Sequence, residues 1–299
     1  MSHTATSGTL PHTIAVTRLS DLDPRRTLDA LAQHGALLIR CEEKPADVQA
    51  FEAFTCTVAN EFQVHGNSAR NMISQDGRTQ EVDAGTHPLP AHAEVAYLPF
   101  CPDTMWFYCE VPPDSGGETT LCDGIALLDR LSPSTRQFFR EHRIKYSHQY
   151  PKAAWSRVLP VPNAAYASKL LDQMLPRFAG RGEFTYHFDD QEVMHASFVT
   201  SAISRTRAGA ETFTNSLEVS FIPRVVELRG GSATMEDGSP VPEEALRDVA
   251  AALAAGENPV RWIQGDIVMI DNFRVMHGRK GIIDPGHRRI FVRLGNRNN

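Results

Sequence analysis

One histidine near the carboxyl end of the chain has neighbours whose types could bind a metal ion and a carboxylate. His277 lies between two apolar, strand-like runs, residues 267–270 and 290–292. Two adjacent arginines, Arg288 and Arg289, precede the second run. A neutral imidazole is a common metal ligand, and a guanidinium can form a two-pronged contact with a carboxylate. The spacing therefore indicates a metal ligand on one strand and a carboxylate partner on the next.

An iron site of the non-haem type needs two histidines and one carboxylate on one face of the metal. Residues i and i+2 of a strand point to the same side, so a His-x-Asp/Glu triplet can provide two of these ligands. Two such triplets precede His277, namely His92 with Glu94 and His187 with Asp189. His187 lies 90 residues before His277 (277 − 187), whereas His92 lies 185 before it (277 − 92). Spacing alone does not choose between the triplets, although it leans slightly toward His187.

The sequence that follows Glu94 favours the first triplet. It contains an apolar strand at residues 105–109, then Gly116-Gly117-Glu118-Thr119, and near its end a Trp262…Gly265-Asp266…Asp271-Asn272…His277-Gly278-Arg279 block. In this order, the motifs resemble those of the iron(II)- and 2-oxoglutarate-dependent oxygenases typified by taurine dioxygenase and clavaminate synthase. The resemblance covers residues 35–295 and is loose over 140–210. Glutamate as the carboxylate is similar to clavaminate synthase and to a subgroup resembling the β-hydroxylases of nonribosomal peptide pathways.

The resemblance implies a ligand set and a cosubstrate site. It identifies His92, Glu94 and His277 as the ligands of Fe(II). It also implies that Arg289, assisted by the hydroxyl group of Thr119, binds the distal carboxylate of 2-oxoglutarate. O2 is then the second cosubstrate.

The arginine assignment has a rival. Arg288 and Arg289 are adjacent, and adjacent strand residues face opposite sides of a sheet, so only one of them can point inward. The spacing Arg289-x-x-x-Arg293 matches the family pattern and favours Arg289. Arg293, on the same face, would support the cosubstrate or contact an acidic group of the substrate.

Three further residues are candidates for substrate contact. Asn215 stands where relatives often carry a substrate-facing asparagine. His187 belongs to the second triplet, and Trp106 lies on the strand that follows the first triplet. The alternatives are a hydrogen-bonded strand pair for His187 and Asp189, and simple core packing for Trp106.

The resemblance implies an oxygenase that oxidises an unactivated C–H bond while 2-oxoglutarate is decarboxylated to succinate. Hydroxylation of a small amino-acid-like or carrier-tethered molecule of secondary metabolism is the first expectation. Desaturation or oxidative cyclisation with the same cofactors is an alternative. A cupin-like metal-binding protein or isomerase without 2-oxoglutarate turnover is a second alternative. Halogenating members of the family lack the carboxylate, so Glu94 argues against halogenation.

The order of elements favours a mainly β domain with flanking helices (α+β), because helices cluster early and do not alternate with the strands. The resemblance implies a double-stranded β-helix, or jelly-roll, core. Helices are predicted after Asp23 and Ser132, over residues 45–62 and over residues 242–255. Strand structure is predicted over residues 184–188 and 213–228.

Residues 1–13 are predicted to form a flexible N-terminus and residues 14–299 a single oxygenase domain, with the polar stretch 66–90 as a lid. The net charge of −6 argues against nucleic acid or an anionic membrane as a partner. Five cysteines without a C-x-x-C pair predict reduced thiols. Without a signal-peptide pattern or a spanning apolar run, the chain is expected to be cytoplasmic. Homo-oligomerisation is left open.

Overall fold

The computed structural model describes residues 10–42, 45–66, 70–82, 85–284 and 288–297. Within these ranges, the strands are β1 (His12–Val16), β2 (Ala36–Cys41), β3 (Ala59–Gln63), β4 (Gln80–Glu81), β5 (Leu89–His92), β6 (Thr104–Val111), β7 (Thr119–Asp123), β8 (Arg143–Tyr150), β9 (Glu183–Phe188), β10 (Met194–Ser201), β11 (Ile203–Arg205), β12 (Glu211–Phe213), β13 (Ala233–Met235), β14 (Asn258–Pro259), β15 (Ile267–Asp271), β16 (Val275–Arg279) and β17 (Arg289–Arg297). The helices are α1 (Pro24–His34), α2 (Val48–Val58), α3 (Gly124–Arg130), α4 (Pro133–Glu141), α5 (Lys152–Trp155), α6 (Ala164–Met174), α7 (Pro223–Arg229) and α8 (Glu243–Gly256).

Two sheets pack against each other around an apolar interior. The larger sheet has the order β1-β2-β15-β6-β17-β3, with β4 paired to β17, and the smaller has the order β14-β7-β16-β5. Alternate residues of each strand point into the space between the sheets. The inward-facing residues include Phe107, Val268, Ile290 and Val292 of the larger sheet and Leu121 and Val275 of the smaller sheet.

The opposite face of the larger sheet is covered by α1 and α2. Trp106, Tyr108 and Phe291 of the sheet pack there with Phe51 and Phe54 of α2. Strand β6 is therefore buried on both faces, which explains why its sequence is apolar without alternation. This arrangement also decides which side chains of β17 can reach the interior.

A third sheet, of order β13-β8-β10-β9, is inserted between α4 and α8. Its apolar residues form one core with α3, α4 and α8 and a second core with α5 and α6. The insertion contains most of the segment over which the family resemblance is loose.

Several predicted boundaries need correction. The second helix begins at Val48, because Asp47 caps it by accepting a 2.8 Å hydrogen bond from the backbone N–H of Ala50, and it ends at Val58. Phe62 lies instead in β3. The predicted β-rich stretch 213–228 is mostly helical after β12, since Pro223 occupies the first turn of α7.

Residues 12 and 13, which were predicted as part of the flexible N-terminus, belong to β1. Residues 1–9 of the predicted flexible terminus, and residues 67–69 and 83–84 of the predicted lid, lie outside the described residues. All five cysteines are unpaired in the structure. Among the described helices, none combines the length and the apolar character needed to cross a membrane.

Candidate metal centre

Two strands of the smaller sheet bring the predicted ligands together. His92 ends β5, and its antiparallel partner on β16 is His277. The centroids of the two imidazole rings lie 4.4 Å apart. Glu94 follows two residues after His92, and the ligand atoms of all three side chains lie within 4.8 Å of one another. Among the described residues, this is the one group of three or more such side chains that could hold a metal ion.

The side chain of Asn272 holds the backbone of Glu94 in place. Its Oδ1 accepts a 2.8 Å hydrogen bond from the Glu94 N–H, and its Nδ2 donates to the carbonyls of Glu94 (3.0 Å) and Pro102 (2.9 Å). The next residue, Val95, has a φ of +59°, which β-branched residues rarely adopt. Such a conformation costs about 1–3 kcal/mol and persists only where surrounding contacts impose it. Asn272 and the turn after Glu94 therefore fix the backbone from which the Glu94 carboxylate extends.

Each histidine has an environment that suits a metal ligand. Nδ1 of His92 lies 2.9 Å from the carbonyl oxygen of Pro90, so it donates its proton there and leaves the lone pair on Nε2. Burial, reinforced by neighbouring His92, lowers the pKa of His277 to about 3. A neutral imidazole is the form that binds a metal.

Glu94 is set up as a carboxylate anion. Its side chain is 3% exposed, and burial alone would raise its pKa, but His65, Arg70 and His277 outweigh burial and hold the pKa well below its usual range. Nε2 of His65 lies 3.1 Å from Oε1 of Glu94, and Nη2 of Arg70 lies 3.5 Å from Oε2. Nε2 of His277 lies 3.6 Å from Oε2. Two histidines and one ionised carboxylate are the donor set that fits a non-haem Fe(II) site.

The two adjacent arginines of the last strand face opposite sides. Arg289 lies on the outer face, where its side chain is 51% exposed, its Nε is 3.5 Å from Glu81, and its guanidinium stacks over Phe291. Arg293 lies on the same outer face, over the ring of Phe62 at 4.2 Å. Neither can reach the interior that contains His277. The predictions that Arg289 and Arg293 bind the cosubstrate are therefore wrong.

Arg288 occupies the inward side, together with Ile290 and Val292. Its Nε donates a 2.9 Å hydrogen bond to the carbonyl of Gly117. Burial, helped by nearby Arg279, lowers the pKa of Arg288 to about 10, so it still carries its charge at neutral pH. Among the described residues, no carboxylate lies within ion-pair distance of it. A partly buried cation in this position fits an anionic ligand.

Thr119 faces the same interior. It lies on β7 opposite Arg279 of β16, and its exposed fraction is 3%. Nε1 of Trp262 donates a 3.3 Å hydrogen bond to its Oγ1. Because that bond uses the oxygen as an acceptor, the hydroxyl proton of Thr119 can be donated to a ligand carboxylate.

Comparison with known proteins identifies the group to which this arrangement belongs. The family described as "Taurine catabolism dioxygenase TauD, TfdA family" matches residues 6–294. The chain belongs to the TauD/TfdA dioxygenase family. The predicted enzyme class and its cofactors, Fe(II), 2-oxoglutarate and O2, are thereby confirmed as those of the family. A cupin-like protein without 2-oxoglutarate turnover is correspondingly disfavoured.

Two curated relatives of this dioxygenase family member are similar over much of its length. The clavaminate synthase-like protein At3g21360 of Arabidopsis thaliana is 25% identical over 223 residues, which are 69% of this chain. The match spans 64% of that relative, just under two thirds of its length. The dapdiamide synthesis protein DdaC of Enterobacter agglomerans is 24% identical over 286 residues, 89% of this chain and 83% of the relative.

Solved structures confirm the fold. The PvcB protein from Pseudomonas aeruginosa superposes with a TM-score of 0.58 at 14% identity, covering 95% of this chain and 86% of that one. Another structure of PvcB, described as an Fe, alpha-ketoglutarate dependent oxygenase from an isonitrile synthetic pathway, gives a TM-score of 0.57. The predicted double-stranded β-helix core with flanking helices is confirmed.

The structure places the three predicted substrate residues where none of them contacts His92, Glu94 or His277. Trp106 is fully buried under the helices that cover the outer face of the larger sheet, and its ring centroid lies 6.1 Å from that of Phe62. The ring of Phe107, on the inner face, packs next to His277. His187 lies on exposed β9, stacked on His195. The amide group of Asn215 is used within the fold: it donates to the carbonyl of Ala202 and accepts from the N–H of Leu217. None of the three contacts the ligand triad.

Sequence reasoning missed His65, just before the predicted lid, and Arg70, within it, both of which contact Glu94. No spacing rule in the sequence links them to residue 94. It also missed the clamp by Asn272, although the Asp271-Asn272 pair was part of the recognised motif.

Proposed function

We propose that the chain is an Fe(II)- and 2-oxoglutarate-dependent oxygenase in which His92, Glu94 and His277 bind the iron. The observation that carries this proposal is the convergence of these three side chains, with the pKa of His277 lowered and that of Glu94 held low, in one buried cluster. One oxygenase domain, residues 14–299, would contain the site.

The cosubstrate would lie between the two sheets. Its distal carboxylate would accept hydrogen bonds from the guanidinium of Arg288 and the hydroxyl group of Thr119. This placement would neutralise the charge of Arg288, which is partly buried and lies close to Arg279. Gly117 leaves room for Arg288, since a Cβ atom at Gly117 would lie 3.2 Å from the Cδ of Arg288.

Bound Fe(II), with 2-oxoglutarate and O2, supplies the oxidising power that removes hydrogen from a carbon atom. The chain's own residues position the reactants and exclude water. Phe107 packs 5.3 Å from the ring of His277, and the apolar interior lies behind it. His65 and Arg70 cover Glu94 from the lid side.

Hydroxylation of a small molecule, free or carrier-tethered, is the reaction that we propose, within secondary metabolism. The names of two relatives support a biosynthetic role, since one is a dapdiamide synthesis protein and another an oxygenase of an isonitrile synthetic pathway.

The arginine pair of β17 provides a direct test. Arg288→Gln removes charge-assisted hydrogen bonds of about 1.5–3 kcal/mol, so the Kd for 2-oxoglutarate should rise by about 10- to 100-fold. Arg289→Gln, on the outer face, is the matched control and should leave the Kd within about twofold. Affinity is measured anaerobically with Fe(II) present, and succinate formation is followed after O2 is admitted. A larger loss in Arg289→Gln than in Arg288→Gln would contradict the assignment.

A further inference from the structure

The solvent-facing side of the third sheet carries a pair of histidines that the candidate metal centre does not use. His187 of β9 and His195 of β10 are antiparallel partners, so their side chains project from the same face of the sheet. Their imidazole rings are stacked, with centroids 4.8 Å apart and planes inclined by 5°. His187 is exposed, and both rings line an open cleft of about 340 Å³. A solute can therefore reach both rings directly from water.

A carboxylate orients one of the two rings. Nε2 of His195 lies 2.9 Å from Oδ2 of Asp189. The other oxygen, Oδ1, accepts 2.9 Å hydrogen bonds from the backbone N–H groups of Gln191 and Val193, and these bonds fix the carboxylate. Because an ionised carboxylate only accepts, Nε2 of His195 carries the proton and the lone pair of Nδ1 stays available. Histidines that bind metal commonly donate their other N–H group to a carboxylate in this way.

His187 brings a second nitrogen donor to the same place. Its ring has no hydrogen-bond partner among the described residues, so its lone pair is also available. Zn(II) binds nitrogen at about 2.0–2.1 Å, so two nitrogens that share the ion lie about 3–3.5 Å apart, a spacing that a small rotation of two exposed, stacked rings provides. The lysine that lines the cleft, Lys145, pairs with Val199, four residues along β10 from His195 and thus about 13 Å away along the strand. Its charge therefore opposes a bound cation only weakly.

We propose that His187 and His195 form a second metal site, which binds a divalent transition ion such as Zn(II) through one nitrogen of each ring. Water fills the remaining positions, and Asp189 is the positioning residue. Imidazole suits Zn(II), Cu(II) and Ni(II), whereas Mg(II) and Ca(II) prefer oxygen ligands. The ion joins β9, the last strand of the third sheet, to β10. The site is separate from the buried candidate metal centre, so the inference does not depend on the proposed function.

Zinc binding by the full chain tests the site. Equilibrium dialysis against buffered free Zn(II) gives the number of ions bound per chain at each concentration. The parent isotherm should contain one step that His187→Gln moves by about 100-fold or more to higher free Zn(II), because a single imidazole lacks the effective concentration that a chelating pair provides. Zinc that occupies the buried triad contributes equally to both isotherms, so the comparison reports the exposed pair.

Asp189→Asn tests the positioning role. Asparagine keeps an oxygen for the N–H groups of Gln191 and Val193 but presents an NH2 group to His195, so the ring must accept there and carry its proton on Nδ1. The same step should move by about tenfold or more. Nitrogen NMR of the zinc-free imidazole should show the change from the Nε2–H form to the Nδ1–H form, which a merely structural role of Asp189 would not produce.

His34→Gln is the matched control. His34 stacks on His12 with centroids 3.9 Å apart, but the charged group beside this pair is the guanidinium of Arg274 rather than a carboxylate. The step should therefore stay in place. An isotherm that His187→Gln leaves unchanged would overturn the inference, and so would an equal shift in His34→Gln, because the step would then belong to exposed histidines in general.

Discussion

Glu218 has a partly buried carboxyl group, one oxygen of which lacks a hydrogen-bond partner among the described residues. Its Oε1 is buried with no hydrogen-bond partner, and burial raises its pKa to about 6. Because the pKa is higher in the folded than in the unfolded chain, the folded state binds the proton more tightly. Stability is therefore lost as the pH rises from the unfolded pKa through about 6, where the buried group must ionise.

Glu218→Gln should consequently stabilise the protein above pH 6 by about 1–2 kcal/mol, because a neutral amide replaces the buried anion. The advantage should shrink below the unfolded pKa, where the native carboxyl group is already neutral. Urea unfolding at pH 8 and at pH 4.5 measures the difference, with exposed Glu244→Gln as the control. An equal effect at both pH values would show that the buried charge is not the cause.

At the same scale, the proposed metal ligands His92, Glu94 and His277 could be predicted from sequence, but the inward placement of Arg288 could not. The ligands belong to motifs whose order is specific. Alternation along the strand cannot tell which of Arg288 and Arg289 points inward. Ile290, Phe291 and Val292 are all buried, so the apolar pattern does not mark an inner face. Only the packing of β17 between the interior and the helices decides which of the two arginine side chains points inward.

At the scale of elements, the contact of β5 with β16 sets the distance between His92 and His277. Gly278 lies at this contact, and a Cβ atom there would be 2.6 Å from the carbonyl oxygen of Leu89 and 3.0 Å from the N of Ala91. Both atoms belong to the backbone of β5, so the strand would have to move as a whole.

Gly278→Ala should therefore separate the two histidines. We expect a loss of stability of about 1–3 kcal/mol from overpacking, and a loss of Fe(II) affinity of about tenfold or more. Gly281→Ala is the control, since its Cβ would meet its nearest neighbour at 3.7 Å. Equilibrium metal titration and urea unfolding measure both effects. Unchanged Fe(II) affinity in a destabilised Gly278→Ala would refute the role of this strand contact.

The elements of the core were largely predictable, whereas in the insertion the strand predicted over residues 184–188 is confirmed as part of β9 and the helices were not predicted. Cap residues such as Asp23 and Ser132 mark α1 and α4 directly in the sequence. Helix α7 was predicted as β structure, because its segment contains β-branched residues and only Pro223 indicates the helix start. Helices α5 and α6 lie in the insertion, where short amphipathic segments are stabilised by packing against β9 and β10.

At the scale of the whole molecule, the candidate metal centre lies where the smaller sheet meets His65 and Arg70, which precede β4. Strand β4 joins this segment to the larger sheet, because Glu81 and Gln80 pair with Phe291 and Val292 of β17. His65, upstream of that strand, reaches Glu94. Sequence alone could not reveal these contacts, since they depend on how the two sheets and the segment before β4 pack together.

The central claim is that His92, Glu94 and His277 bind an iron ion, and that 2-oxoglutarate chelates this ion. Anaerobic titration of the purified chain with Fe(II) and 2-oxoglutarate tests it most directly, through the visible metal-to-ligand charge-transfer band of the chelate. We expect a band in the parent that Glu94→Ala weakens or alters and that His187→Ala, in the exposed triplet, leaves unchanged. No band in the folded parent, or a band lost only in His187→Ala, would contradict the claim.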